Sequence, residues 1–368
     1  MMRVDAHEDL AWNMLTFGRD YTRSVAASRA AERETSIPRH NGDTLLGWPE
    51  WIQGRVGVIF ATLFAAPLRR KEGDWDILCY AEPQQANRLY RQQVEAYHRL
   101  VEEQAGKFRL IQQAGDLQQI EAAWESFPAS GELGAAPPIG LVLLMEGADG
   151  VLDPADLPEW YEAGVRILGP AWAGTRYAGG TGDPGPFTKE GLALLEAMAE
   201  VGMALDLSHL SEEAAREGLD RYPGVVLASH SNARALVWES RAPERHLSDA
   251  VIRGLTERQA VIGVVLYNRF LLEGWTPDQG RQAVKLDQVV AHIDHICQLV
   301  GSAEHVGIGT DFDGGFGLQD APHGLDSIAD LGFIGSALQA RGYGQGEVEA
   351  ILGGNWLRIL RRILQGNG

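Results

Sequence analysis

The stretch that most constrains this chain runs from 203 to 234, MALDLSHLSEEAAREGLDRYPGVVLASHSNAR, where two short apolar runs each end in a histidine. MALDLSH and VVLASH are too short and too continuously apolar to be amphipathic helices, and SEEAAREGLDRY between them has helical composition, so the segment reads as a β-α-β unit. His209 and His230 then stand at strand C-termini. In a parallel α/β fold those ends converge on the face where ligands bind. Two imidazoles meeting there suggest a metal; the alternative is a pair of polar strand-end residues bonded to backbone.

The rest of the chain repeats the pattern. VDAHEDLAW (4–12) opens as a very short strand delivering His7, Glu8 and Asp9; alternation puts His7 and Asp9 on one side, a claw suited to zinc, and leaves Glu8 as a solvated or ion-paired bystander. Residues 20–50 read as a long loop with some helix, and GRVGVIFATLFA (54–65) as the second strand. Segments within 82–126 are helical by spacing and composition, with His98 on the surface. PPIGLVLLMEGADG (137–150) is the third strand and ends at Glu146, and GVRILGPAW is the fourth, ending in Trp172 as a pocket wall or core residue. Residues 188–200 form a helix; after the opening unit come a loop with Arg234, Arg241 and Arg245 and a helix capped by Ser248 or Asp249. AVIGVVLYN (260–268) is strand seven, and EHVGIGTDFDGG (304–315) is strand eight, ending in Asp311 and Asp313.

Eight strand candidates, mostly separated by helical stretches, predict a (β/α)8 TIM-type barrel, and with no repeat or linker residues 1–368 read as one domain. His7, Asp9, Glu146, His209, His230 and Asp311 all fall at C-terminal strand ends. A structural explanation for each would have to coincide with all the others, which favours a metal site.

Composition sets the outer limits. A net charge of −18, from 50 acidic and 32 basic side chains, argues against nucleic acid and anionic membrane as partners. Cys79 and Cys297 are too few and too far apart for a disulfide framework or a thiolate zinc site, so a reducing cytoplasm is expected. MMRVDAHEDL lacks the pattern of a signal peptide, and the 13-residue apolar run VGVIFATLFAAPL falls short of the roughly 20 residues a spanning helix needs.

Three carboxylates and three imidazoles suit zinc or a similar divalent ion and exceed what one tetrahedral ion uses. Two ions sharing Glu146 and a bridging hydroxide would employ them, with His7 and Asp9 on one ion and His209 and His230 on the other. Two dications are balanced in formal charge by Asp9, Glu146, Asp311 and hydroxide. Asp311 is the expected general base and then proton donor to a leaving amine. Ser229 and Ser231 flank His230 without forming a nucleophile constellation.

In VDAHEDLAW, MEG, DLSHLS, ASHSNARAL, HVGIGTDFDGG and GGNWLRIL, which span nearly the whole chain, the sequence closely resembles the membrane dipeptidase (renal dipeptidase-like) family of zinc peptidases, in the amidohydrolase-type barrel superfamily. The resemblance implies a binuclear zinc dipeptidase acting on small free dipeptides, with tolerance for a D-residue at the C-terminal position. It implies the same ligand assignment, with Glu146 bridging where related barrels use a carboxylated lysine, and a homodimer. The lipid anchor of mammalian members is not expected here. Two departures stand out. The family's strand-four histidine, which contacts the substrate, is replaced by Trp172, which offers one donor, no acceptor and no charge; this opens the alternative of another amide or a modified dipeptide as substrate. The arginine that binds the substrate carboxylate corresponds to Arg245 in RHLSD, although simple spacing from His230 points to Arg241.

Overall fold

The apolar runs become short parallel strands in a computed structural model that describes residues 1–128, 133–237 and 242–365. They are β1 (Arg3–Glu8), β2 (Val56–Phe64), β3 (Ile139–Glu146), β4 (Val165–Gly169), β5 (Ala204–Asp206), β6 (Val226–Leu227), β7 (Ile262–Val264) and β8 (Val306–Ile308). Strands β1 to β6 pair in chain order and β7 pairs with β8, all parallel. Two single parallel bridges complete the circuit, Ala228 to Ile262 between β6 and β7 and Glu8 to Phe312 between β1 and the exit of β8. The result is the eight-stranded α/β barrel that the strand count predicts.

Continuous apolar strands follow from this architecture. A barrel strand meets packed side chains on its inner face and helices on its outer face, so both sets of residues are dry. All eight residues of β3 are buried, as are all but the last of β2. Inside the barrel, β6 reaches inward because two neighbours are glycines. A Cβ on Gly263 or Gly309 would lie 1.9 or 2.0 Å from the Ser229 carbonyl oxygen, so any side chain there would push out the segment carrying His230. At the other end, Trp356 donates from Nε1 to the Ile308 carbonyl, and Asn355 bonds the carbonyls of Ala303 and Val306, fastening the last helix beneath β8.

Several boundaries differ from the sequence reading. The first strand is as short as expected, stopping at Glu8, and helix Leu10–Phe17 begins two residues later. Residues 20–50 hold three short helices, Val25–Glu32, Ile37–Asn41 and Trp48–Gln53, each too short for periodicity to reveal. Between helices Pro83–Glu103 and Ala114–Ser126, Phe108–Leu110 forms a small strand on the lower part of β3, below the point where β4 begins to pair at Leu143. The fourth strand ends at Gly169, so Trp172 lies on the loop that follows. Among the described residues, no helix is long and apolar enough to cross a membrane.

Candidate metal centre

Five strand exits bring the six expected side chains to one place. Glu146 is the last residue of β3, and Gly147 turns the chain away at once with φ +86°. His209 and Asp311 both have left-handed backbones, with φ of 66° and 61°. Non-glycine residues seldom adopt that region, and where they do at a strand exit the conformation re-aims the side chain, here into the barrel mouth. Asp9 sits at the N-cap of helix Leu10–Phe17 and points its carboxylate to the centre rather than to the helix.

Three overlapping groups of atoms result, His7–His230–Asp311, Glu146–His209–His230 and His7–Asp9–Glu146, and Glu146 belongs to the last two. Its Oε1 lies 3.1 Å from His209 Nε2 and 3.4 Å from His230 Nε2, and the two histidine nitrogens are 3.0 Å apart. Ligands about 2.0–2.1 Å from a tetrahedral ion are separated by about 3.3 Å, so this triangle has the size of one face of such a site. The other oxygen, Oε2, lies 3.7 Å from His7 Nε2, which is itself 3.9 Å from Asp9 Oδ2 and from Asp311 Oδ1. The His7 ring stacks on that of His230 at 3.5 Å.

Burial and mutual repulsion make the charged carboxylates of this centre unfavourable on their own. Burial, then Asp9 and Asp311, drive the Glu146 carboxyl well above its ordinary range. Burial, then Asp9, do the same to Asp311, and burial raises Asp9 to about 6 despite a hydroxyl bond from Thr62. The three imidazoles are pushed well below their ordinary value, chiefly by burial, so they present lone pairs. Neither nitrogen of His7 has a hydrogen-bond partner, and Glu146 Oε1 has none aligned with it. Orphaned buried acceptors facing one another are unfavourable until a cation joins them. The donor set, nitrogen and oxygen without sulfur, fits zinc or a similar divalent ion.

A family model described as Membrane dipeptidase (Peptidase family M19) matches residues 1–366. The chain belongs to that family. M19 membership makes it a metal-dependent hydrolase of the dipeptidase class. A protein of Klebsiella pneumoniae known as "Uncharacterized protein in pqqA 5'region" is 30% identical over 284 residues, covering 74% of this chain and 96% of that one. Dipeptidase verJ of Clonostachys rogersoniana is 24% identical, covering 97% of this chain and 83% of its own. A solved metallo peptidase from Rhodobacter sphaeroides, liganded with a phosphinate mimic of the dipeptide L-Ala-D-Ala, shares the fold with a TM-score of 0.76 at 22% identity and 99% coverage of both chains.

Within this M19 site, Arg245 is buried and donates from Nη1 to the His230 carbonyl at 2.8 Å, leaving Nε and Nη2 without partners among the described residues. Burial lowers its pKa, while Asp311 and Glu146 act in the opposite direction. Arg241 lies outside the described residues. Trp172 is half-buried beside the centre, its ring 6.1 Å from that of His209 and 5.1 Å from that of Phe64. The loop carrying it is folded back on itself, since Thr181 N–H donates to the Trp172 carbonyl.

Residues behind the ligands escaped the sequence reading. Thr62 donates to Asp9, the Thr181 hydroxyl sits 3.0 Å from His209 Nδ1, and Ser229 Oγ sits 2.7 Å from His230 Nδ1. Asp206, within the apolar run MALDLSH, stands behind Ser229; a carboxylate inside an apolar strand was the one available signal that a polar partner was waiting. Glu8 is not a solvated bystander. It is fully buried, accepts from Trp51 Nε1 and is raised well above its ordinary range by burial and by Asp5. A register shift between Asp5 and Glu8 turns both carboxyls behind the strand, where simple alternation would have separated them. Asp313 ties the 19–46 region to the β8 exit, accepting from Tyr21 Oη, Thr44 Oγ1 and Leu45 N and pairing with Arg19.

Proposed function

We propose that this chain is a zinc-dependent dipeptidase with two ions per chain, cleaving small free dipeptides and accepting a D-residue at the C-terminal position. The observation that carries the reading is the straddling carboxylate of Glu146, with one oxygen toward His7 and the other toward His209 and His230. His7 and Asp9 would hold one ion, His209 and His230 the other, and Glu146 both. The phosphinate mimic of L-Ala-D-Ala bound by the Rhodobacter sphaeroides relative supports the substrate class. A cytoplasmic location, supported by the free thiols of Cys79 and Cys297, and a homodimer belong to the same proposal.

When bound, two dications supply an acidified water and a polarised carbonyl. The chain's own groups do the rest. Asp311 accepts the proton of the attacking water as the oxygen–carbon bond forms, then delivers it to the nitrogen as the carbon–nitrogen bond breaks. Arg245 directs its free Nε and Nη2 donors at the substrate α-carboxylate, a fork that matches carboxylate geometry. Trp172 and Phe64 form an aromatic wall beside the reacting bond.

The test is metal content measured alongside hydrolysis of a mixed L,L and L,D dipeptide library, for wild type and Asp311→Asn in parallel. Near two zinc per chain, with turnover lost in the variant, is the expected result; two zinc without turnover would sink the dipeptidase reading and keep the site. Trp172 motivates a second reading, hydrolysis of another amide or a modified dipeptide. On that reading Trp172→His raises turnover of simple dipeptides, and no change would weigh against it.

A further inference from the structure

We propose that Asp206 and Ser229 form a polar relay that fixes the tautomer of His230 and so sets the metal affinity of the His209–His230 half of the centre. The inference rests on reading His230 as a ligand. Asp206 is surrounded by donors: its Oδ1 accepts from the backbone N–H groups of Ser208 and Ser229, both at 2.9 Å, and its Oδ2 accepts the Ser229 hydroxyl at 2.5 Å. Ser229 has one hydroxyl proton, and that bond uses it. Its oxygen therefore faces His230 Nδ1, 2.7 Å away, as an acceptor. The proton of the neutral imidazole is held on Nδ1, and Nε2 is left with a lone pair among Glu146 Oε1 and His209 Nε2. All three members of the relay are buried, so water does not compete for the bonds. Asp206 and Ser229 are positioning residues that act through His230.

The direction of the relay can be reversed without changing its shape. In Asp206→Asn the amide oxygen still accepts the two backbone N–H groups, and the amide nitrogen occupies the place of Oδ2. It now donates to Ser229, whose own proton turns to His230 Nδ1 and drives the imidazole proton onto Nε2, against the metal. Ser229→Ala removes the acceptor without imposing the opposite tautomer. The expected order of zinc affinity at the His209–His230 half is wild type, then Ser229→Ala, then Asp206→Asn, with the last lower by about 10- to 100-fold and the His7–Asp9 half less affected.

Two measurements decide it. Zinc affinity is read by chelator competition, and the site of the imidazole proton is read in metal-free protein by nitrogen-15 histidine NMR. Wild type should carry the His230 proton on Nδ1 and Asp206→Asn on Nε2. Equal affinity in Asp206→Asn and wild type, or an Nε2–H tautomer in wild type, overturns the relay. If Asp206→Asn does not fold, Ser229→Ala decides: undiminished zinc affinity together with an unchanged tautomer overturns the proposal. A wild type that binds no zinc overturns the metal reading instead, and the tautomer measurement still judges the relay.

Discussion

The Nε2 atoms of His209 and His230 lie 3.0 Å apart, although the two residues leave different strands and are joined by helix Glu212–Arg221. Burial keeps both imidazoles neutral, and Glu146 Oε1 at 3.1 Å from His209 adds an acceptor to the pair. The arrangement is stable when a cation joins the three. Stripping the protein with a chelator should therefore abolish turnover and lower the melting temperature by several degrees. A site filled at about 1,000 times its dissociation constant contributes about 4 kcal/mol to the folded state. Readdition of a divalent ion restores both, as calorimetry with and without metal would show.

Asp311 is held above its ordinary range by burial and by Asp9, and it stands 3.9 Å from His7 Nε2. If it moves the proton between water and leaving amine, Asp311→Asn lowers kcat by about 10²- to 10⁴-fold. The metal content of the variant stays near that of wild type. Parallel steady-state kinetics and metal analysis separate this from loss of the centre.

Arg245 keeps two unpartnered donors in a buried position. Arg245→Met should lower kcat/KM for free dipeptides by roughly 30-fold or more, the loss expected when one member of a buried charge pair is truncated. The same variant should lose most of the preference of wild type for free dipeptides over their C-terminal amides. Equal discrimination in the two proteins would move the carboxylate contact elsewhere.

Stability in acid has a separate contributor. His292 is buried in helix Leu286–Val300, accepts the Ala233 N–H on Nδ1 and has its pKa lowered to about 4 by burial. The unfolded chain takes up this proton near its ordinary value of about 6.5, so between those values the unfolded state binds more protons. The contribution is fully present above pH 6.5 and is lost as pH falls toward 4, amounting to about 3 kcal/mol. His292→Gln should flatten the denaturant-midpoint profile of the metal-free protein across that window, and an unchanged slope would count against it.

The clustering of these six side chains was legible in the sequence because barrel geometry is local in a useful sense. An apolar run of strand length predicts a strand, its C-terminal end predicts a face, and His7, Asp9, Glu146, His209, His230 and Asp311 follow from position alone. Residues behind them were not legible. Ser229 reads as an ordinary loop serine until the tertiary structure puts its oxygen between Asp206 and His230. Glu8 reads as exposed until a register shift in β1 buries it against Trp51 and Asp5.

By itself, then, the sequence determined the barrel, the face on which His7, Asp9, Glu146, His209, His230 and Asp311 gather and the donor types they bring, because those depend on hydrophobic period and on strand polarity. The tertiary structure alone decided that Glu146 turns one oxygen toward His7 and the other toward His209 and His230, that Arg245 lies beside His230, and that hydroxyls stand behind Asp9, His209 and His230. Such relations are set by side-chain direction and by contacts between segments far apart in the chain, and no local pattern of residues encodes them.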